Sequence, residues 1–592
     1  MKAISRRADF AVVGGGLAGL CAAVAAAREG IDTVLIHDRP VPGGNASSEI
    51  RMWICGAHGE NRRETGIVEE LLLENLHRNP EGNYSIWDSV LYGLARREKH
   101  LTVFLNTSCQ EVEMAGSRIR AVRGYQSVSQ TRVRVEAEYF ADCSGDSVLA
   151  PLAGAEVRYG REARSEFGES IAPVSADRRT MGMSCLLQAR ETLEPHDFIA
   201  PEWANRYENG DAFRLRGPEL AGLQNFWWIE LGGDGDALHD VDANRDELLK
   251  IAFGVWDYLK NHPDNRARYR NWELEWIGFL PGKRESFRYV GDVIVTQHDV
   301  ASGGRFPDRI AYGGWTMDDH HPEGFRYPGE PNVFHPAPSP FGLPYRAIYS
   351  KNIENLFMAG RNISVTHAAL SASRVMATCA LLGQAAGSAA ALAKQHGCTP
   401  REVGRLHLAE LQNRLMRDDV WLPGFRYDAP EVTKRAELMA TGRNDPAGLR
   451  LGQNRVTDEG GDESWHASPG DAAEYRWPSP VKLTECRIVF DSDLNRQRKN
   501  IVALRFLALP RYRLPGTLVK KFRLEYRDAA GQWRRFGEFD GNYRRLVRLS
   551  MALTTDAVRL TVLETWGEPE VKVFAWTFSG EAGASRQALI PE

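Results

Sequence analysis

A chain of 592 residues exceeds one ordinary domain, and its 43 % hydrophobic content suffices for several cores. With 74 basic against 78 acidic side chains, the net charge of −4 removes the electrostatic case for nucleic acid or an acidic membrane as partner. The sequence reads as free of any apolar run able to span a bilayer, so no membrane partner is expected. Met1 to Arg7 leads straight into the first strand, so no signal peptide is expected either. Eight cysteines without a CxxC pair argue for a reducing, cytoplasmic setting and against a metal centre.

The first element is an apolar run, Phe10 to Val13, which reads as a buried parallel strand. Gly14-x-Gly16-x-x-Gly19 follows, then an alanine-rich helix over Leu20–Ala27 and a second strand over Thr33–Ile36. Strand, glycine turn, helix and strand in this order form a dinucleotide-binding unit. Gly14 permits the sharp turn, Gly16 lets a pyrophosphate approach the backbone, and Gly19 allows close packing of helix on strand. The helix start offers unsatisfied N–H groups to the phosphates. An acid for the ribose hydroxyls is expected near the end of the second strand. His37 holds the usual place and Asp38 the next, so Asp38 is the candidate. Pro42-Gly43-Gly44 then brings backbone close to a ligand.

The glycine motif, the second strand and the Gly-Gly that follows resemble the FAD-binding flavoproteins of the glutathione-reductase-like superfamily. The stretch Gly43-Gly-Asn-Ala-Ser-Ser-Glu-Ile-Arg51 resembles the FAD-dependent oxidoreductase family, a distant relative of fumarate reductase flavoproteins. The resemblance runs from about Ala8 to Leu411. It implies FAD as cofactor, an α/β Rossmann domain, and cofactor contacts from Gly43, Gly44, Asn45, Ser47 and Arg51. It also places the chain after Gly44 beside the flavin ring. His58 is then either a flavin-proximal acid/base, a covalent attachment point, or a loop histidine held by backbone. Cys55 reads as packing.

Further along, helices are expected over Glu64–His77 and Tyr84–Glu98, a strand over Leu101–Asn106, and a hairpin turning at Ala115-Gly116-Ser117. Tyr139 to Asp146 returns to the parallel sheet and resembles the family's second FAD segment. Asp146 would hold the cofactor or cap the next helix. From 159 to 340 the βαβ rhythm lapses, which suggests a mixed α+β substrate domain inserted into the FAD domain (1–158 and 341–423). Arg284 is a candidate substrate anchor, because a guanidinium is a rigid fork of donors. His320 and His321 are neighbours on extended chain and face opposite ways, so they do not chelate together; His320 is the one expected near substrate.

The strand ending in Ala359-Gly360-Arg361 resembles the last FAD segment, so Gly360 and Arg361 are cofactor candidates. Thr366 to Arg374 leads into a small-residue helix over Val375–Lys394 whose start can stabilise reduced flavin. His367 is the first choice for the catalytic proton acceptor, and Arg374 a substrate ligand. Residues 424–461 read as a linker. From 462 to 592, short alternating strands suggest an all-β jelly-roll sandwich, similar to galactose-binding-like domains. The leading expectation is an FAD-dependent oxidoreductase acting on a hydroxyl-bearing small molecule, a sugar or glycoside, with an electron acceptor of unspecified chemistry. Redox chemistry on a carboxylate, with Arg284 and Arg374 as clamps, is the second. A non-catalytic carbohydrate-binding flavoprotein is the third.

Overall fold

The computed structural model describes residues 2–222, 224–496 and 500–581. Its contacts divide the chain into two compact units, and neither is a contiguous block. The first comprises Met1–His58, Arg78–Gln412 and Arg498–Tyr512. The second comprises Gly59–His77, Asn413–Gln497 and Arg513–Glu592.

The first unit is built on a seven-stranded sheet. Strands β1 (Lys2–Val13), β2 (Thr33–Ile36) and β3 (Leu101–Phe104) run parallel in the order β3-β2-β1. On the other side of β1 lies β6 (Thr131–Asp142), preceded in the chain by β4 (Thr107–Ala115) and β5 (Arg118–Gln126). One edge of β6 is shared: its first half pairs antiparallel with β5, and Phe140–Asp142 pairs parallel with the strand Leu356–Met358. Phe10, Ala11 and Val12 are fully buried, as expected of a parallel strand covered on both faces. The parallel strands end together at Gly14, His37, Cys143 and Ala359, and a cleft at the carboxyl ends of such strands is where this topology places ligands.

Helix α1 (Leu17–Arg28) packs against the long helix Met376–His396 through small residues. A Cβ on Gly383 would lie 2.0 Å from the Ala18 carbonyl oxygen, and one on Gly387 2.1 Å from that of Ala22. Met376–His396 is long and apolar enough to cross a bilayer, which the sequence reading did not find. Its apolar window is 94 % buried inside the protein, so it is a core helix of this unit.

The expected inserted domain is not a separate body. Its strands Met183–Ser184, Leu187–Glu191 and Trp272–Ile277 and its helix Val241–Asn261 all lie in the first unit. They share a core with Phe226, Trp228 and Trp256. The sequence suggests one strand over Tyr289–Thr296; in the structure Arg288–Tyr289 forms a short strand, Val295 makes an isolated parallel bridge to Val365, and Thr296 caps a short helix, Gln297–Ala301. Leu504–Arg505, expected in the sandwich, pairs parallel with Leu187–Glu191 in the first unit.

The second unit is an all-antiparallel β sandwich. Ala472–Phe490 and Leu546–Thr565, in the region expected to hold short strands, are long and continuous and cross the unit with shifts of register. Trp465, Tyr475, Trp576 and Phe578 fill its core. The helix Ile67–Arg78 contributes Leu73 to that core. Residues 424–461 are not a linker: they form the helix Glu431–Lys434 and the strand Glu437–Ala440, and bury Asn454 and Arg455.

Candidate active site and cofactor cleft

A cleft of about 450 Å³ opens at the carboxyl ends of the parallel strands. Gly14, Gly16, Gly43, Gly44 and Gly360 line it, together with Asp38, Asn45, Asp146 and Arg361, so three distant segments of sequence meet there. Gly16 caps α1 without any side-chain hydrogen bond to the helix, and a Cβ on it would meet nothing within 4 Å. The helix start therefore faces the cleft with its N–H groups unclaimed by side chains. Gly43 N–H donates to the Gly15 carbonyl at 2.7 Å, and Gly14 and Gly43 adopt φ of 102° and 114°, which side-chain-bearing residues avoid. Gly19 stays out of the cleft; a Cβ there would sit 1.8 Å from the Gly14 carbonyl oxygen, so its part is helix-on-strand packing.

His37, at the place where an acid is usual, is structural. Its Nδ1 lies 3.0 Å from Gly15 N–H and 3.2 Å from Asp38, and its Nε2 lies 3.1 Å from the Val41 carbonyl, so the ring ties the glycine loop to the end of the second strand. That leaves Asp38, with 62 % of its side chain exposed, as the acceptor at this end of the cleft. Asp146 does not cap the helix that follows it. Asp142 Oδ2 takes Leu149 N–H at 2.8 Å and Ser144 Oγ takes Val148 N–H at 3.1 Å. Asp146 instead accepts from Arg361 at 2.7 Å and pairs with Lys283, so two cations meet one carboxylate here. Burial pushes its carboxyl up, but Arg361 and Lys283 outweigh this and hold it below the usual carboxylate range.

Two expected contacts lie elsewhere. Arg51 does not line the cleft; its guanidinium sits over the rings of Tyr84 and Trp276, 4.6 and 4.5 Å from their centroids, and donates to Gln188 at 2.7 Å. Ser47 is fully buried and turned back to the Gly44 carbonyl. Both hold the glycine loop in shape.

Past the glycine loops the cleft is walled by Trp53, Trp227 and Trp315, and floored by an ionic cluster. Two of its charged members, Asp318 and His320, stand on one hairpin, Met317–His320 paired with Asn332–His335, and Glu230, Arg284 and Arg374 come from elsewhere. Alternation on these strands sends Asp318, His320, Asn332 and Phe334 into the cleft and Asp319 to the back. His320 Nδ1 lies 2.7 Å from Glu230 Oε2 and Nε2 lies 3.2 Å from Asp318 Oδ2. Arg284 reaches Glu230 at 3.2 Å, and Arg374 reaches Asp318 at 3.2 Å. Burial raises both carboxyls, yet Arg284 with His320 holds Glu230 below the usual carboxylate range, and His320 with Arg374 does the same for Asp318. His321 faces away, stacked on Tyr327 at 3.4 Å.

His367 is not in the cleft. It is buried behind the hairpin with Nδ1 2.9 Å from Glu285 and Nε2 3.1 Å from Asp319. Burial alone would lower its pKa, but the two carboxylates overrule this and push it up to about 10. It therefore already carries a proton near neutrality, and the acceptor role expected of it does not fit. His58 is also outside the cleft: it is exposed and stacks on the back of Trp315 at 4.4 Å, one ring removed from the cleft wall. Val375 and Met376, at the start of the long helix, do line the cleft as expected.

The residues missed at the level of sequence are Glu230, Lys283, Asp318, Asn332 and the aromatic walls. The i, i+2 spacing of Asp318 and His320 on one strand was the available signal.

The phosphate-ready helix start, the two glycine turns and the ionic floor define a dinucleotide-dependent redox protein of the α/β class, and these residues fit FAD. A model of the FAD dependent oxidoreductase family matches residues 9–415, and the chain belongs to that family; FAD is its cofactor. No curated protein matches the chain. Among solved structures, a geranylgeranyl bacteriochlorophyll reductase-like protein of Thermoplasma acidophilum is similar at 14 % identity over 70 % of this chain and 86 % of its own, with a TM-score of 0.30. The family 32 carbohydrate-binding module of Streptococcus pneumoniae EndoD aligns at 15 % identity over 26 % of this chain and 99 % of its own, TM-score 0.20. The family 32 module of C. perfringens NanJ, solved with galactose, aligns at 8 % identity over 24 % and 93 %, TM-score 0.18.

Proposed function

We propose that the protein oxidises a neutral, hydroxyl-bearing substrate, a sugar or glycoside, with His320 as the proton acceptor. Bound FAD supplies the two-electron acceptor for hydride leaving the substrate carbon. Glu230 orients His320 through Nδ1, the shorter of its two contacts; His320 differs from His367 in that its second carboxylate contact, Nε2 to Asp318, opens on the cleft, and only once substrate breaks that contact does Nε2 take the hydroxyl proton. The contact from Nε2 to Asp318, at 3.2 Å, is the one a substrate hydroxyl displaces. Asp318 and Asn332 then hold neighbouring hydroxyls, and the indole walls exclude water.

The observation that carries this reading is the neutralisation of both arginines. Arg284 is paired with Glu230 and Arg374 with Asp318, so the floor offers balanced donors and acceptors rather than an open cationic clamp. A dicarboxylate would have to be desolvated against two fixed carboxylates, which costs several kcal/mol. The test is anaerobic bleaching of the flavin against neutral sugars, glycosides and dicarboxylates. Bleaching by a neutral sugar or glycoside alone is expected, with His320→Gln slowing it about 100-fold or more. Bleaching by dicarboxylates alone, or full rates in His320→Gln, would overturn the reading.

A further inference from the structure

The hairpin that carries His320 has a second feature that proton transfer does not use. Phe334 shares the cleft-facing side with Asp318, His320 and Asn332, and lines the cleft, yet it is 61 % exposed. A single exposed apolar side chain is ordinary; what sets Phe334 apart is that it lines the cleft on the same face as the charged residues of its floor. Its surroundings define what would cover it.

The register pairs Asp318 directly with Phe334 and His320 with Asn332. Direct cross-strand partners stand about 5 Å apart, and diagonal ones about 7–8 Å. Phe334 is therefore directly beside the Asp318 carboxylate but diagonal to His320. A ring whose hydroxyl reaches His320 Nε2 is held at the buried end, where His320 is 4 % exposed and Trp227 packs edge-on against it at 5.2 Å. Phe334 lies level with Asp318 and diagonal to His320, at the exposed side of the cleft. An acceptor carboxylate with an aromatic face next to it suits a ring with polar edges and an apolar face.

Resting on the sugar or glycoside reading above, we infer that the substrate is a glycoside of at least two rings rather than a free monosaccharide. Phe334 is the platform for the ring joined to the one that is oxidised. Phe334 is a specificity residue: it adds binding to the outer ring and leaves the reacting ring's contacts with His320 and Asp318 unchanged.

The experiment measures anaerobic flavin reduction by the FAD-loaded full chain with matched pairs of a monosaccharide, its disaccharide and its aryl glycoside. In the wild type the two-ring substrates should show half-saturating concentrations about tenfold below the monosaccharide. Phe334→Ala should remove that advantage, about fivefold to tenfold, with the limiting rate and the monosaccharide's values within twofold. Phe334→Trp should restore it. Because the side chain is exposed, unchanged melting temperatures verify that Phe334→Ala is folded. Equal saturation by one-ring and two-ring sugars, or equal losses for both in Phe334→Ala, overturns the platform while leaving sugar oxidation standing. Absence of bleaching by every sugar overturns the function and the platform together. Rescue of only the aryl glycoside, or of only the disaccharide, by Phe334→Trp identifies which second ring the platform takes.

Discussion

The two histidines that bracket the hairpin illustrate how environment, not residue type, assigns a role. His320 lines the cleft between Glu230 and Asp318, whereas His367 is clamped between Glu285 and Asp319 in the interior, away from the cleft. Because the folded-state pKa of His367 is raised to about 10, its proton contributes stability that is fully present below the ordinary histidine value near 6.5 and is lost as pH rises toward 10. His367→Gln should therefore be less stable than wild type at pH 6, and the gap between their melting temperatures should narrow steadily up to pH 10. Parallel curves would show that His367 is not an imidazolium in the folded protein. At the ribose end, the Gly15–His37 pair makes a similarly local claim. A Cβ on Gly15 would fall 2.6 Å from the His37 ring, so Gly15→Ala should cost about 1–3 kcal/mol and lower the flavin content of purified protein. Retention of full flavin with an unchanged melting temperature would contradict it.

At the scale of elements, the site depends on the seam between α1 and the long helix. Both helices present their starts to the cleft: Gly16 to Ala18 from one, Val375 and Met376 from the other. They meet through Gly383 and Gly387 on the backbone of Ala18 and Ala22, so the spacing of the two helix starts is set by glycines well away from them. Gly383→Ala should force the helices apart, destabilise by about 1–3 kcal/mol and release flavin during desalting, although residue 383 lies outside the cleft. Gly397→Ala, at the far end of the same helix, should lower stability without releasing flavin, since its φ of 61° is strained by a side chain but nothing lies within 4 Å. Equal flavin release from both would argue against the seam. The hairpin Met317–His320 with Asn332–His335 is the other element on which the proposed chemistry rests. Strand alternation alone separates Asp318, which floors the cleft, from Asp319, which holds His367.

At the scale of the whole molecule, the chain crosses between its units more than once. The span Asn500–Tyr512 returns to the first unit, where Asn500 accepts from Ile54 N–H at 2.8 Å and Leu504–Arg505 extends a sheet. Ile67–Arg78 gives Leu73 to the core of the second unit. A truncation after residue 461, where composition suggests a boundary, should therefore yield poorly soluble protein with well under half the flavin content of the full chain. Full flavin stoichiometry in that fragment would show that the returning segment is dispensable.

The cofactor segments near Gly14, Gly43 and Gly360 were legible because they rest on short-range rules. A tight turn, a strand and a helix start are encoded by adjacent residues, and the glycine spacing leaves few other structures open. The sandwich strands were legible for the same reason, through their alternation. The surroundings of the two histidines were not, because they depend on which carboxylates meet which histidine. Glu230 and His320 are 90 residues apart, as His367 and Glu285 are 82 apart, and no local pattern records those meetings. Local chain chemistry thus determined the cofactor and the class of fold. Only long-range packing decided which histidine lies in the interior and which lines the cleft, because a side chain's surroundings are set by the groups folded around it.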